Sequence, residues 1–291
     1  MAYGAGFDGG HRETKGLSPA GQVILVPEHE HEVTLDFSRF ELSADYGLGD
    51  GWHAWLRVPY DVKRRRARVR ATAPATPAER EAQERNLELH HPTETLEGFG
   101  DLHLLGVRKA RDLLFPRDVL VAAAGTSLPT GRTEEDPYER GRAGLPHEHV
   151  QFGTGTFDPL LELYYTVPLL DGLHLSLSEI GRFPLVENPK DYQGPVEVSA
   201  TLGLGYRLAE PLSAHAGWST FYQGYARWDG GRDVNSGLVS HGVTLGGTYA
   251  LGGRASVSLS VRVPVSQRTL SDEGDTFEQG ILLQLGVSYA F

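Results

Sequence analysis

The sequence predicts an all-β fold: a transmembrane, antiparallel, up-and-down β-barrel of about twelve strands, with short periplasmic turns and long extracellular loops. Three observations carry this expectation. The first is the closing stretch "EQGILLQLGVSYAF". Ile281, Leu283, Leu285, Val287, Tyr289 and Phe291 share one parity, with Gly280, Gln284, Gly286, Ser288 and Ala290 between them. Strands that cross a bilayer as barrel staves alternate in this way, one face to lipid and one to the lumen. The second is the character of the non-apolar face along the chain. It is Ser, Thr and Gly with scattered charge, not the Lys/Glu coat of a solvated sheet. The third is the rhythm of the connections. Short ones at 47–51, 168–172, 208–211 and 252–253 alternate with long ones at 71–97, 129–149, 187–194, 228–237 and 268–277. A last strand ending in an aromatic residue is expected to close against the first, so that no edge is left unpaired in lipid.

Composition sets the bounds. The chain has 291 residues with 27 basic and 38 acidic, a formal charge of −11, which argues against nucleic acid as a partner. Thirty-six Gly and 12 Tyr beside a single Met suit a β-rich chain with tight turns. With no Cys, disulfides, thiolate metal sites and Cys nucleophiles are excluded. No apolar run approaches the roughly 20 residues of a membrane helix. "MAYGAGFDGG" lacks the basic and apolar regions of a signal peptide, so an exported chain is expected to be a mature form with an added Met. A negative mean hydropathy does not argue against a barrel, whose strands are apolar on alternate residues only.

Taken in order, residues 1–19 are Gly-rich and polar, compatible with a disordered periplasmic tail or a plug folded into the lumen. The barrel is expected over 20–291. Its first strands are placed at 20–27, 32–46 and 52–70. The third begins near Trp52, and a crossing takes about 9–11 residues, so "KRRRARVR" (63–70) begins at the outer headgroup level. There Lys63, Arg64, Arg66 and Arg68 are expected to meet lipopolysaccharide phosphates. In "TPAEREAQERNLEL", Thr76 and Glu79 fit a capping box with Pro77 at the first helical position, predicting a short extracellular helix. Strands at 98–109 and 117–128 are weakly patterned; in "DVLVAAAGTSLP" neither parity is clearly apolar. The strands at 150–167, 172–186, 195–207, 212–227, 238–251, 254–267 and 278–291 alternate more plainly. In "ASVSLSVRVPVSQ", for example, Val257, Leu259, Val261, Val263 and Val265 oppose Ser256, Ser258, Ser260, Arg262 and Ser266.

From Gly100 onward the chain resembles the outer-membrane family labelled "MetA-pathway of phenol degradation". The residues are "GFGDLHLLGVRKA" (98–110), "TSLPTGR" (126–132), "FGTGTFDPLLELYYTV" (152–167), "LGLGYRLAEPLSAHAG" (202–217) and "LLQLGVSYAF" (282–291). Upstream, "DYGLGDGWHAWLRVPYDV" (45–62) belongs with them. The resemblance spans roughly residues 32–291. It implies a monomeric or weakly oligomeric, transporter-like barrel passing small, often aromatic or hydrophobic, molecules. The long 71–97 loop and the histidines depart from the family pattern.

By parity, the charges expected to line the lumen are Arg57, Asp61, Asp158, Glu162, Glu197, Arg207, Arg227 and Arg262. Glu179 and Arg182 join them where the parity of "LSLSEIGRF" slips, as at a bulge. They read either as a selective constriction or as ion pairs that stiffen the wall, the latter favoured because charges in a barrel must pair or stay hydrated. Six of twelve histidines fall in expected extracellular segments: His29, His31, His90, His91, His147 and His149. His-x-His in an extended chain puts both rings on one side, suiting Zn²⁺ or Cu²⁺, although exposed loops also tolerate His beside Glu. His11, His53, His103 and His174 read as ordinary lumen, turn or tail residues. "HLS" (174–176) has the spacing of barrel phospholipases but faces the lumen, so catalysis is not expected. The expectation is a porin-like, passive channel of the Gram-negative bacterial outer membrane for small molecules. Its partners are the lipid bilayer, lipopolysaccharide and a small-molecule solute, not nucleic acid. It needs no cofactor, unless a divalent metal sits in the extracellular loops. The alternative is a binding or structural barrel whose loops hold a metal ion or a partner.

Overall fold

In the computed structural model, which describes residues 1–291, the alternating segments become staves of one closed sheet. In chain order the elements are β1 (Ala2–Leu17), β2 (Val23–Gly49), β3 (Trp52–Ala71), α1 (Pro77–His90), β4 (Glu94–Phe99), β5 (Leu102–Arg111) and β6 (Val119–Leu128). There follow α2 (Pro137–Arg142), β7 (Pro159–Leu170), β8 (Leu173–Arg182), β9 (Tyr192–Gln193), β10 (Glu197–Ala209) and β11 (Leu212–Gln223). The last are β12 (Arg227–Trp228), β13 (Gly231–Arg232), β14 (Leu238–Ala250), β15 (Ala255–Thr269) and β16 (Ile281–Tyr289).

Every stave pairs antiparallel with the next. β4 and β5 together form one stave: β4 pairs with the upper part of β3 (Tyr60–Arg65) and β5 with its lower part (Trp52–Arg57). Counted so, twelve staves close where β1 meets β16. β9, β12 and β13 form a small separate sheet in the extracellular loops. The turns at one end are tight, as at Asp171–Gly172 and Glu210–Pro211, while the other end carries α1, α2 and the small sheet.

Side-chain direction follows the parity. Ile281, Leu283, Leu285, Val287, Tyr289 and Phe291 are all exposed on the outer wall, as are Leu202, Leu204 and Tyr206 of β10 and Leu259, Val263 and Val265 of β15. In water such a surface would be a severe liability. Around a closed barrel it is the band that meets lipid.

Four expectations need correction. Residues 2–17 are neither tail nor plug but a stave, paired with β2 along its length and with β16 through Ala2–Ala5. Most of β1 stands above the lipid band, where no apolar alternation is required, so its Gly-rich sequence gave no strand signal. Segments 20–27 and 32–46 are one 27-residue strand, β2, and "EHEHE" is part of it rather than a loop. The number twelve survives because the missed stave offsets the split one. Residues 150–158, placed at the start of a strand, are a loop, and β7 begins at Pro159. Finally, β8 carries no bulge at 179–182: its register with β10 runs unbroken from Leu173 to Arg182.

Helix α1 forms where the capping box placed it. The Thr76 side chain accepts from the Glu79 backbone N–H, and the Glu79 carboxylate accepts from the Thr76 backbone N–H. Its buried face docks on the β1–β2 hairpin: Gln83 Nε2 donates to Pro27 O at 3.0 Å and Arg85 Nε to Leu17 O at 2.8 Å.

Candidate functional site

The lumen holds a cavity of about 630 Å³. Its charges come mostly in pairs. Arg57 makes a two-pronged contact with Glu162 (2.5 and 2.8 Å), Arg39 does the same with Asp61 (2.7 and 2.8 Å), and Arg182 lies 2.9 Å from Glu197. Bidentate geometry is the strong form of such a pair, and the stiffening reading fits these residues better than a bare charged ring. Arg262 also points inward. Its guanidinium donates to Ser219 Oγ at 2.8 Å, Gln279 Oε1 at 2.8 Å and Ser240 Oγ at 3.0 Å.

What narrows the lumen is the loop between β6 and β7, which folds inward. Phe152, Gly153, Thr154, Thr156 and Asp158 are buried within the barrel. The Phe152 ring lies between two cations, Lys63 Nζ at 4.5 Å and the Arg132 guanidinium carbon at 5.0 Å from its centroid. Buried Asp101 pins the loop, accepting from Gly131 N at 2.9 Å and Thr154 N at 2.8 Å. The Thr154 hydroxyl donates onward to Asp158 at 2.8 Å, and Thr156 Oγ1 to the other Asp158 oxygen at 2.6 Å.

Within this loop Gly131 and Gly153 stack backbone to backbone. A Cβ on Gly131 would lie 2.8 Å from Gly153 Cα, and one on Gly153 would lie 2.4 Å from Asp101 Oδ1. Gly153→Ala is therefore expected to displace the loop. Loss of heat stability with the barrel's circular-dichroism spectrum intact would show it, and an unchanged melting temperature would count against the packing.

The two sides of the lumen differ. Leu105, Val107, Ala123 and Leu160 form an apolar cluster with Trp55 and Val121 against it, and Tyr164 meets Trp55 edge-on at 6.2 Å. Across the ring, toward the periplasmic end, a second cavity of about 280 Å³ is lined by His174, Ser176, Thr201, His215, Thr244 and Thr248. One wall is greasy and aromatic, the other small and polar.

At the extracellular end the histidines converge. His11 of β1 stands directly opposite His31 of β2, which places both rings on the inner face. His31 Nε2 lies 3.2 Å from His29 Nε2, and both residues are fully buried. His91, just past α1, approaches His11 and His31 with ring centroids at 5.6 and 5.8 Å. Asp275, between β15 and β16, joins two of them: it lies 2.5 Å from His11 Nδ1 and 3.3 Å from His91 Nε2. His149 stacks beside His91, and His147 links His149 to His90 at centroid distances of 5.1 and 5.0 Å.

Burial, together with neighbouring rings, pushes His31 and His149 down to about 3 and His90 to about 4. On His11 burial also opposes charge, but the hydrogen bond and charge of Asp275 outweigh it and raise its pKa. Asp275 is held well below the usual carboxylate range: its own burial works the other way, and the bonds from His11 and His91 overcome it.

The structure thus gathers all six extracellular histidines and adds His11, which the sequence reading set aside. The missed signal is the antiparallel partner of "HEHE": once 2–17 is a strand, His11 falls beside His31. Among the residues expected in the lumen, Arg57, Asp61, Asp158, Glu162, Arg182, Glu197 and Arg262 face inward. Three do not. Glu179 sits opposite Ala200, on the outward parity of Leu173, Leu175 and Leu177. Arg207 is at the periplasmic rim, 3.3 Å from both Asp171 and Glu210. Arg227 belongs to β12, outside the barrel wall. The basic run is split by strand alternation. Lys63 and Arg65 point inward, Lys63 to Gln151 O at 2.6 Å and Arg65 to Glu94 and Glu148 at 2.5 and 2.8 Å, so Lys63 does not reach lipopolysaccharide. Arg64, Arg66 and Arg68 are exposed on the outer face, where Arg66 pairs with Asp36 (2.5 Å) and Arg68 with Glu32 (2.6 Å).

No protein-family model matches the chain, and no curated protein sequence does. Among solved structures it is similar to an outer membrane channel from Pseudomonas putida F1. The TM-score is 0.56 at 14% sequence identity, covering 99% of this chain and 94% of that one. At that identity the likeness establishes a shared fold.

Proposed function

We propose that the chain is a passive channel of the Gram-negative bacterial outer membrane, passing small hydrophobic or aromatic molecules down their gradient. The observation that carries this reading is the lumen itself. A cavity of about 630 Å³ surrounds the inward-folded loop, lined by ion pairs such as Arg57–Glu162 and Arg39–Asp61 and by aromatic rings, among them Phe7, Phe37, Phe152, Phe221 and Phe277. Such a passage accepts a small molecule that joins an apolar ring to a polar group, and wide barrels without a rigid filling pass solutes. Support comes from the fold shared with a channel and from the motif resemblance to the phenol-pathway barrels. Transport by diffusion needs no organic cofactor and no catalytic step; His174 and Ser176 then serve as lumen surface. One copy suffices, since the passage lies within one chain. Arg64, Arg66 and Arg68 face outward above the lipid band, where they meet lipopolysaccharide phosphates.

The test is flux into phospholipid vesicles containing the purified barrel. A small phenol is expected to enter faster than a sugar of equal size, and planar bilayers are expected to show discrete conductance steps. Flux equal to that of protein-free vesicles, with no steps, overturns the reading. The second reading, a binding barrel, draws on the histidine cluster, which passage of an aromatic solute leaves without a role.

A further inference from the structure

We propose that His11, His31 and His91 form a binding site for a borderline divalent cation of the Zn²⁺ type, set at the extracellular end of the lumen. Each residue offers a ring nitrogen, and the three nitrogens lie within 4.8 Å of one another. Tetrahedral Zn²⁺ holds its nitrogens at about 2.0–2.1 Å from the metal, so the rings close in by roughly 1 Å on binding. The donors are free to do so. His31 Nδ1 is buried without any hydrogen-bond partner, which is costly unless something occupies it. Asp275 takes one nitrogen of His11 and one of His91, leaving the other nitrogen of each for a ligand. A carboxylate behind metal-binding imidazoles is the usual device that fixes their tautomer and aim. Three imidazoles with a single carboxylate and no thiol select Zn²⁺ or Cu²⁺ over Ca²⁺ and Mg²⁺, which require many oxygen ligands.

The site also has approaches. His91, His149 and Asp275 line the main lumen cavity. On the outer face of the β1–β2 extension an acidic groove carries Asp8, Glu30, Glu32, Asp272 and Glu278 against Arg68, and such a groove concentrates cations. The three ligands come from β1, β2 and the segment after α1, with Asp275 from the β15–β16 loop. A bound ion thus ties together four pieces of the extracellular end that are far apart in sequence. This holds whatever solute the lumen passes, so failure of the flux experiment and failure of this one are separate results.

The experiment is calorimetric titration of Zn²⁺ into the full chain, free of any histidine tag, in detergent at pH 7.5. Ca²⁺ and Mg²⁺ serve as parallel probes. One saturable Zn²⁺ site per chain is expected, with nitrogen neighbours near 2.0 Å in X-ray absorption and no comparable heat from the other two ions. His31→Ala is expected to remove the saturable site. Asp275→Asn is expected to weaken it about 10–100-fold, and His174→Ala, at the other end of the lumen, to leave it unchanged. Absence of saturable binding to the unmodified chain overturns the proposal. So does binding that persists in the His11/His31/His91 triple variant, or that vanishes on replacing only His90 and His147. If the triple variant does not fold, the single variants and the unmodified chain still decide.

Discussion

Replacing Leu204 by Arg is expected to cost about 2–4 kcal/mol of folding stability in a bilayer, the typical penalty for a basic side chain at the lipid-facing midplane of a barrel. Leu204 is exposed on the outer wall, in register with Leu175 on β8 and Ala216 on β11. It stands six residues above the turn at Glu210–Pro211, about 20 Å along the strand, which after tilt is near the middle of an apolar band about 25 Å tall. The cost arises because the guanidinium has neither water nor a carboxylate within reach there. Leu208→Arg, four residues closer to the turn on the same exposed face, is expected to cost only about 0–1 kcal/mol. Denaturant titration of folding into phospholipid vesicles reads both. A Leu204→Arg variant as stable as the unmodified chain would show that this face does not meet lipid.

Asp101→Ala is expected to release the inward loop and widen the lumen. Asp101 is buried and accepts from two backbone N–H groups, those of Gly131 and Thr154. Its removal orphans both donors, at about 1–3 kcal/mol each if they stay buried. The loop avoids that cost by leaving its place, carrying Phe152 from between Lys63 and Arg132. The staves keep their backbone pairing, so the barrel persists while the constriction does not. Single-channel recording is the measurement: conductance per channel should rise and its fluctuations increase. An unchanged conductance in a folded Asp101→Ala barrel would mean that the loop is held by its other contacts, chiefly Asn188 Nδ2 donating to Thr154 O at 2.9 Å.

The wall was legible because lipid demands a face. From β10 to β16 each stave carries its large apolar residues on the outer face, so alternation is enforced at every second position and reads directly from Leu202, Leu204 and Tyr206 or from Val257 to Val265. Where that demand lapses, so does the signal. β1 rises mostly above the band and shows Gly where a stave in lipid would show Leu or Val. The upper half of β2, "EHEHE", is polar on both faces for the same reason. β6 is small-residue from Ala122 to Ser127, where its inner face packs into the lumen's apolar cluster, as with Ala123, leaving neither parity distinct. The basic run misled because it was taken as one patch, whereas a strand sends Lys63 and Arg65 one way and Arg64, Arg66 and Arg68 the other. The inward loop was beyond reach of periodicity. Its position rests on Asp101, Gly131 and Gly153, which only the folded chain brings together. The histidines were visible as a set but not as a centre, because Asp275 and His11, more than 260 residues apart, meet only when the barrel closes.

The staves are far from equal in length. β2 has 27 residues and β8 has 10, about 90 Å of chain against about 33 Å. The shorter length barely clears an apolar band about 25 Å tall, while the longer stands far beyond it, so the rim is cut on a slant like a quill. On the low flank the chain beyond β8 shows exposed Leu185 and Val186, with Phe157 exposed nearby in sequence to β7. On this flank the lip of the barrel is therefore both low and apolar, and the lumen opens closest to the lipid-facing band.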